Sequence, residues 1–326
     1  MTGLSLPALD GRSPLGFLAA LGVLRLVVEH TGHPARLAFS RQDCTAVLHN
    51  AHPDIDTLVE DLAAVVASIP DGGVLSQVAV DFPPPGTSPD KLRLTRKEFT
   101  AYARQVTAAD GLAAERWLGV LVTDLSTDDK GRIDISPYAA PSGQQSTRTM
   151  LTKPLIEVRK NPIPLREALV AWRRYPGISG EYLDHRVLFN KADAADGKSA
   201  ERGVPGATWL ALMAYPLLRT TAAGGEPMST CWQDLGDRAG RRMVYPLWSS
   251  PLDIPAVQAV LSHPVLAGVS TGAAPAAATL LSIFWIGHAA RRRIPKRDFA
   301  GVLVPVNNPT RPLAPVRRGR GRAAAR

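Results

Sequence analysis

His49 and His52 stand three residues apart shortly after Cys44, and an H-x-x-H pair near a thiol is a donor set that zinc uses. No fourth ligand follows at the usual spacing, and His52-Pro53 reads as a turn, so two surface histidines are expected and no metal site. Asp184-His185 reverses the His-Asp dipeptide of metal phosphohydrolases, has no histidine companions nearby, and reads as solvated. Cys231 beside Trp232 lacks the local signature of a catalytic thiol and reads as a small, partly buried apolar side chain. The chain has no GxSxG elbow and no GxxxxGKS or GxxxxGKT phosphate loop, and Gly16 and Gly22 inside an apolar run suit close helix packing rather than a GxGxxG turn. A nonenzymatic chain without a cofactor is therefore expected; a catalyst would need an active site dispersed over residues such as His49, His52 and His185.

Binding chemistry is better represented. Ser142-Gly143-Gln144-Gln145-Ser146, with Arg148 just behind, gathers carboxamides that can pair with base edges and hydroxyls that can hold phosphate. The same residues also suit a loop leading into a helix capped by Ser142 or Ser146. Charge is concentrated at one end. Residues 1–290 hold 27 Lys or Arg against 28 Asp or Glu, whereas the last 36 residues hold 11 against one, so the formal +9 belongs to the C-terminal end. Arg291, Arg292, Arg293, Lys296 and Arg297 form one cluster; Arg311, Arg317, Arg318, Arg320, Arg322 and Arg326 form another. Such a concentration fits contact with a polyanion, and an Arg-rich tail equally fits a solubilising end with no fixed partner.

The elements that must position these groups are mixed. Residues 11–30 carry a buried helix, because Ser13 can cap, Pro14 suits the first helical position and Gly32 closes the end. That run is short for a membrane span and carries Arg25, and its flanks lack the charge pattern of a secretion signal. With only two cysteines, the composition fits a reducing cytoplasm and no membrane. Period and capping predict strands over 35–39, 74–82, 117–126 and 302–306, with a further strand from 241 leading into a helix near Ile254. Helices are predicted over 55–69 behind Asp54, from 94 to about 109, from Ser146, and over 165–175, 207–218 and 276–293. The last of these ends in arginines, which would complement its dipole. The expected class is α+β: a helix-rich body with short strands, divided as 1–135, 136–310 and a disordered basic tail over 311–326.

The run LDGRSPLGFLAALGVLRLVVEH, residues 9–30, resembles the opening of large-subunit-like proteins of type I-G (formerly I-U) CRISPR systems. The SGQQ loop, WLALMAYPLL and YPLWSSPLDIPAVQAVL look like matching islands, together about fifty residues. The resemblance implies a nonenzymatic, cytoplasmic subunit of a Cascade-like antiviral complex, whose partners are guide RNA, target DNA, other CRISPR subunits and a separate helicase-nuclease. The chain is short for a large subunit, so the alternative is a scaffold or adaptor for the helicase-nuclease that makes no direct nucleic-acid contact. No family site maps residue by residue. Charge and donor chemistry select Arg291, Arg292, Arg293, Lys296, Arg297, Arg317, Arg318, Arg320, Arg322, Gln144, Gln145 and Arg148 as nucleic-acid contacts.

Overall fold

The structure, a computed structural model, describes residues 3–78, 81–84, 92–138, 146–176, 183–186, 202–236, 240–291 and 303–306. A bulge between Leu6 and Asp10 in strand β1 (Gly3–Asp10) lets both Leu6 and Leu9 face the core. Helix α1 (Pro14–Leu26) passes into a π-helical turn, Val27–Thr31, and stops at Gly32, whose φ of 73° is left-handed. Strands β2 (Arg36–Phe39) and β3 (Thr45–His49) complete an antiparallel sheet of order β1-β3-β2. Asp54 caps α2 (Ile55–Ala67) by accepting from the Thr57 N–H at 2.9 Å. A capping box of Thr95 and Glu98 starts α3 (Arg96–Leu121), which kinks at Gly111.

Strands β4 (Val122–Thr127) and β5 (Ile133–Ile135) pair next, followed by α4 (Thr147–Lys160) and α5 (Ile163–Val170). A short pair, β6 (Tyr175–Pro176) with β7 (Arg202–Gly203), leads into α6 (Pro205–Met213). The hairpin of β8 (Thr220–Ala223) and β9 (Glu226–Ser229) turns on Gly224 and Gly225, both at positive φ. The second sheet holds β10 (Trp232–Asp234), β11 (Arg241–Trp248), β12 (Gly272–Ala273) and β13 (Ile283–Arg291) in the order β10-β11-β13-β12, with β14 (Leu303–Pro305) also on β13. Between β11 and β13 lie α7 (Ile254–Leu261), capped by Asp253, and the single turn α8 (Ala276–Thr279). The fold is mixed α+β.

Every residue of α1 and of α6 is buried, the pattern of helices at the middle of a protein rather than on its surface. By composition alone Pro14–Thr31 could cross a membrane, yet 78% of it is buried inside the protein. Gly22 and Gly206 permit close approach. A Cβ at Gly22 would lie 1.8 Å from the Leu210 carbonyl oxygen of α6, and one at Gly206 would lie 1.9 Å from that of Pro164 in α5. Arg25 rides inside this packing: Nη1 donates to the Met213 carbonyl at 2.7 Å, Glu29 lies 2.8 Å from Nε, and the guanidinium sits 5.6 Å from the Trp117 ring centroid. Desolvation lowers its pKa, opposed by Glu29.

The two sheets are bound through backbone and aromatic contacts. Leu37 and Leu252 exchange both backbone hydrogen bonds, at 2.9 and 3.0 Å, Trp248 Nε1 donates to the Leu37 carbonyl at 2.7 Å, and the Tyr245 hydroxyl donates to the Arg12 carbonyl at 2.9 Å. Phe17, Phe39, Tyr245 and Trp248 stack around the junction, with Phe17 and Tyr245 centroids 4.6 Å apart. One hydrophobic core therefore joins residues on both sides of position 135.

Several expected elements differ. Residues 276–293 are not one helix: α8 ends after a turn, Ser282 takes a positive φ of 61°, and Ile283 onward becomes the strand that pairs along β11. Arg291, the described arginine at its end, therefore complements no helix dipole. The apolar run from Trp117 continues α3 to Leu121 before β4 begins, because its buried face belongs to the helix. Val74, Leu75, Ser76 and Val78 are buried without forming a strand, and Gln77 between them is exposed at a φ of 60°. The helix expected over 165–175 stops at Val170, and Tyr175 pairs with Gly203 instead.

Candidate nucleic-acid interface

Antiparallel pairing of β11 with β13 sets Arg242 opposite Ala290, so the first residues of β11 lie beside the last residues of β13. One end of the second sheet thereby collects Arg241, Arg242 and Arg291. Two of these guanidiniums already hold backbone carbonyls: Arg241 Nη2 donates to Pro227, and Arg291 Nη2 donates to Pro137. Arg291 also lies over the Trp232 ring, 5.8 Å from its centroid. Beyond Arg291 the chain enters the basic cluster.

A cleft of about 910 Å³ opens on the β10 side of this sheet, walled by the β8–β9 hairpin and by residues 261–268. Its rim carries Arg219 and Arg241 against Glu226 and Asp234, so its charges are nearly balanced. Gln233 is fixed there, its Nε2 donating to the Leu266 carbonyl at 2.8 Å and its Oε1 accepting from Gly268 N–H at 3.2 Å. Cys231 is buried at the wall, and desolvation pushes its thiol up to about 12, so it stays protonated and unreactive at neutral pH. The cleft offers hydrogen-bond donors and apolar floor, the chemistry of binding.

Of the residues selected from sequence, Arg291 and Arg148 are described. Arg148 sits in the first turn of α4, where Nη1 donates to the Pro83 carbonyl at 3.1 Å and Nη2 to that of Gly72, tying the helix to both of those backbone positions. Ser146 caps α4 by accepting from the Thr149 N–H at 3.1 Å. Gln144, Gln145, Arg292, Arg293, Lys296, Arg297, Arg317, Arg318, Arg320 and Arg322 lie outside the described residues.

Two histidine and acid expectations are corrected. Asp184 is buried, not solvated, and accepts from Arg174 at 2.7 and 3.1 Å. His52 is not a surface residue either. Its side chain is 1% exposed, its Nε2 lies 2.6 Å from Asp61 Oδ2, and its ring centroid is 4.9 Å from that of His33. The H-x-x-H spacing pointed to the wrong partner: His49 stays on β3, against Gly3, while His33 and Asp61 approach from the loop before β2 and from α2. No sequence signal singled these residues out: His33-Pro34 and His52-Pro53 share a dipeptide that His263-Pro264, outside the cluster, repeats as well.

The chain matches no protein-family model and no curated protein.

Proposed function

We propose that this chain is a nonenzymatic subunit of a type I CRISPR interference complex and contributes to guide-RNA-directed DNA binding in antiviral defence. One observation carries the reading: a body of net charge −1 ends its last long strand at Arg291, beside Arg241 and Arg242, and hands the chain to a segment that brings the last 36 residues to +10. The resemblance of residues 9–30 and of the later islands to type I-G proteins supplies the complex. Electrostatic contact with phosphate is salt-dependent, and about six contacts give a slope near −5 in log affinity against log salt on duplex DNA. Co-expression with guide RNA and the sister subunits, followed by a salt series on the complex, tests this. Deleting residues 311–326 should flatten the slope; an unchanged slope would remove the tail from the mechanism.

The balanced rim of the 910 Å³ cleft favours a second reading, an adaptor that docks the helicase-nuclease and leaves nucleic acid to other subunits. In that case replacing Arg292, Arg293, Lys296 and Arg297 together leaves copurification with guide RNA and subunits intact.

A further inference from the structure

His33, His52 and Asp61 reach one point from three separate segments. Gly32 ends the π-helical turn and sends the chain through His33; the loop after β3 carries His52; Asp61 lies in the second turn of α2. One ligand atom from each residue lies within 4.8 Å of the others. His52 is buried, and its Nδ1 has no hydrogen-bond partner among the described residues. His33 is half-buried, and Asp61 is 39% exposed at the side chain, so the cluster opens to solvent on one side.

We propose that these three side chains form a binding site for one divalent transition-metal ion, of which Zn²⁺ is the best fit, with water completing the coordination. Two imidazoles and one carboxylate are a borderline donor set that suits zinc and its first-row neighbours. Calcium and magnesium prefer oxygen ligands throughout and should be rejected. The contact between His52 Nε2 and Asp61 Oδ2 at 2.6 Å is a hydrogen bond, and two ligands of one ion cannot stay so close. With metal–ligand bonds of about 2.0 to 2.2 Å at a tetrahedral angle, the two atoms must part to roughly 3.3 Å. Asp61 can supply that movement, because its carboxylate stands on the exposed side of α2. The exchange balances as a tautomer shift: the Nε2–H bond breaks and Nδ1 takes up a proton by way of water, so the ring stays neutral, and Nε2 and Asp61 each form a bond to the metal in place of the one they shared. Bound metal would join the end of the α1 segment, the β3 loop and α2.

The test uses the untagged full chain, stripped with chelator and titrated with Zn²⁺ by calorimetry and with Co²⁺ by its visible absorption. One equivalent of each should bind, the melting temperature should rise with Zn²⁺, and Ca²⁺ or Mg²⁺ should produce neither effect. His33→Ala and Asp61→Asn should each weaken Zn²⁺ binding by at least about tenfold. Asp61→Asn keeps a hydrogen-bond acceptor for His52 while removing the anionic ligand, and urea midpoints without metal establish that both variants fold. His49→Ala, outside the cluster, should bind as the parent does. Absence of one-to-one binding at micromolar Zn²⁺, or binding unchanged in folded His33→Ala and Asp61→Asn, would overturn the proposal.

Discussion

Replacing Gly22 by alanine places one methyl group between two helices that have no room for it. The new Cβ would stand 1.8 Å from the Leu210 carbonyl oxygen, where contacts under 3.0 Å are essentially never seen, so α1 and α6 must part by at least about 1.2 Å. The obstacle is backbone, so no side-chain rotation relieves it. A gap of 0.5 to 1 Å already forfeits a quarter to a half of a dispersion contact, and both helices are buried on all sides, so the loss spreads through the core. Overpacking typically costs 1 to 3 kcal/mol, and the expected effect here is about 3 kcal/mol or more. At roughly 2.1 cal/mol/K of unfolding entropy per residue, a chain of 326 residues loses about 1.5 °C per kcal/mol, so melting falls by at least about 4 °C. Gly119→Ala is the control: Gly119 lies in α3 with nothing within 4 Å of its added Cβ, and the change should stabilise by about 0.5 to 1 kcal/mol. Thermal and urea unfolding of the two variants would falsify the close approach if Gly22→Ala melted at or above the parent.

Burial lowers the pKa of His30, His49, His185 and His288 below the ordinary histidine value of 6.5. The unfolded chain then binds protons that the folded chain refuses, so stability is retained above pH 6.5 and falls as pH drops below it. Urea midpoints at pH 7.5 and 5.5 should show that loss, and His288→Gln should reduce it; equal midpoints at both pH values would contradict the buried neutral histidines. Glu29 bridges Arg25 and, at 3.0 Å, Arg116, so Glu29→Ala strands a buried guanidinium and should cost about 3 kcal/mol in urea unfolding. Arg25→Met combined with Glu29→Ala should recover part of that cost, and a double variant no more stable than Glu29→Ala would argue against a charge penalty.

Elements whose signals are local were legible in the sequence. Asp54 before a helical period marked α2, Pro14 and Gly32 bracketed the α1 segment, and Gly16 and Gly22 marked close packing. β13 was not legible, because Leu280 to Ala290 is apolar at nearly every position and a pattern without a polar face has no period to measure. Its conformation is set by β11, some forty residues away, through pairs such as Tyr245 with Gly287. Gly287 belongs to that strand for a reason that only the fold displays: a Cβ there would meet the Tyr245 ring at 2.4 Å. The same limit applied to the His33, His52 and Asp61 cluster. Metal spacing rules search within one segment, and these residues come from three.

Arg25 donates to a carbonyl 188 residues further along the chain. At a synthesis rate of about 5 to 20 residues per second, α1 leaves the ribosome roughly 10 to 40 seconds before α6 is made. β1, β2 and β3 are made close to α1 and cover part of it, but throughout that interval the face that packs against α6 has no native partner, and it is open to capture by chaperones or to clumping with other nascent chains. Production of this protein in a foreign host should therefore depend strongly on chaperone supply and on slow expression at low temperature.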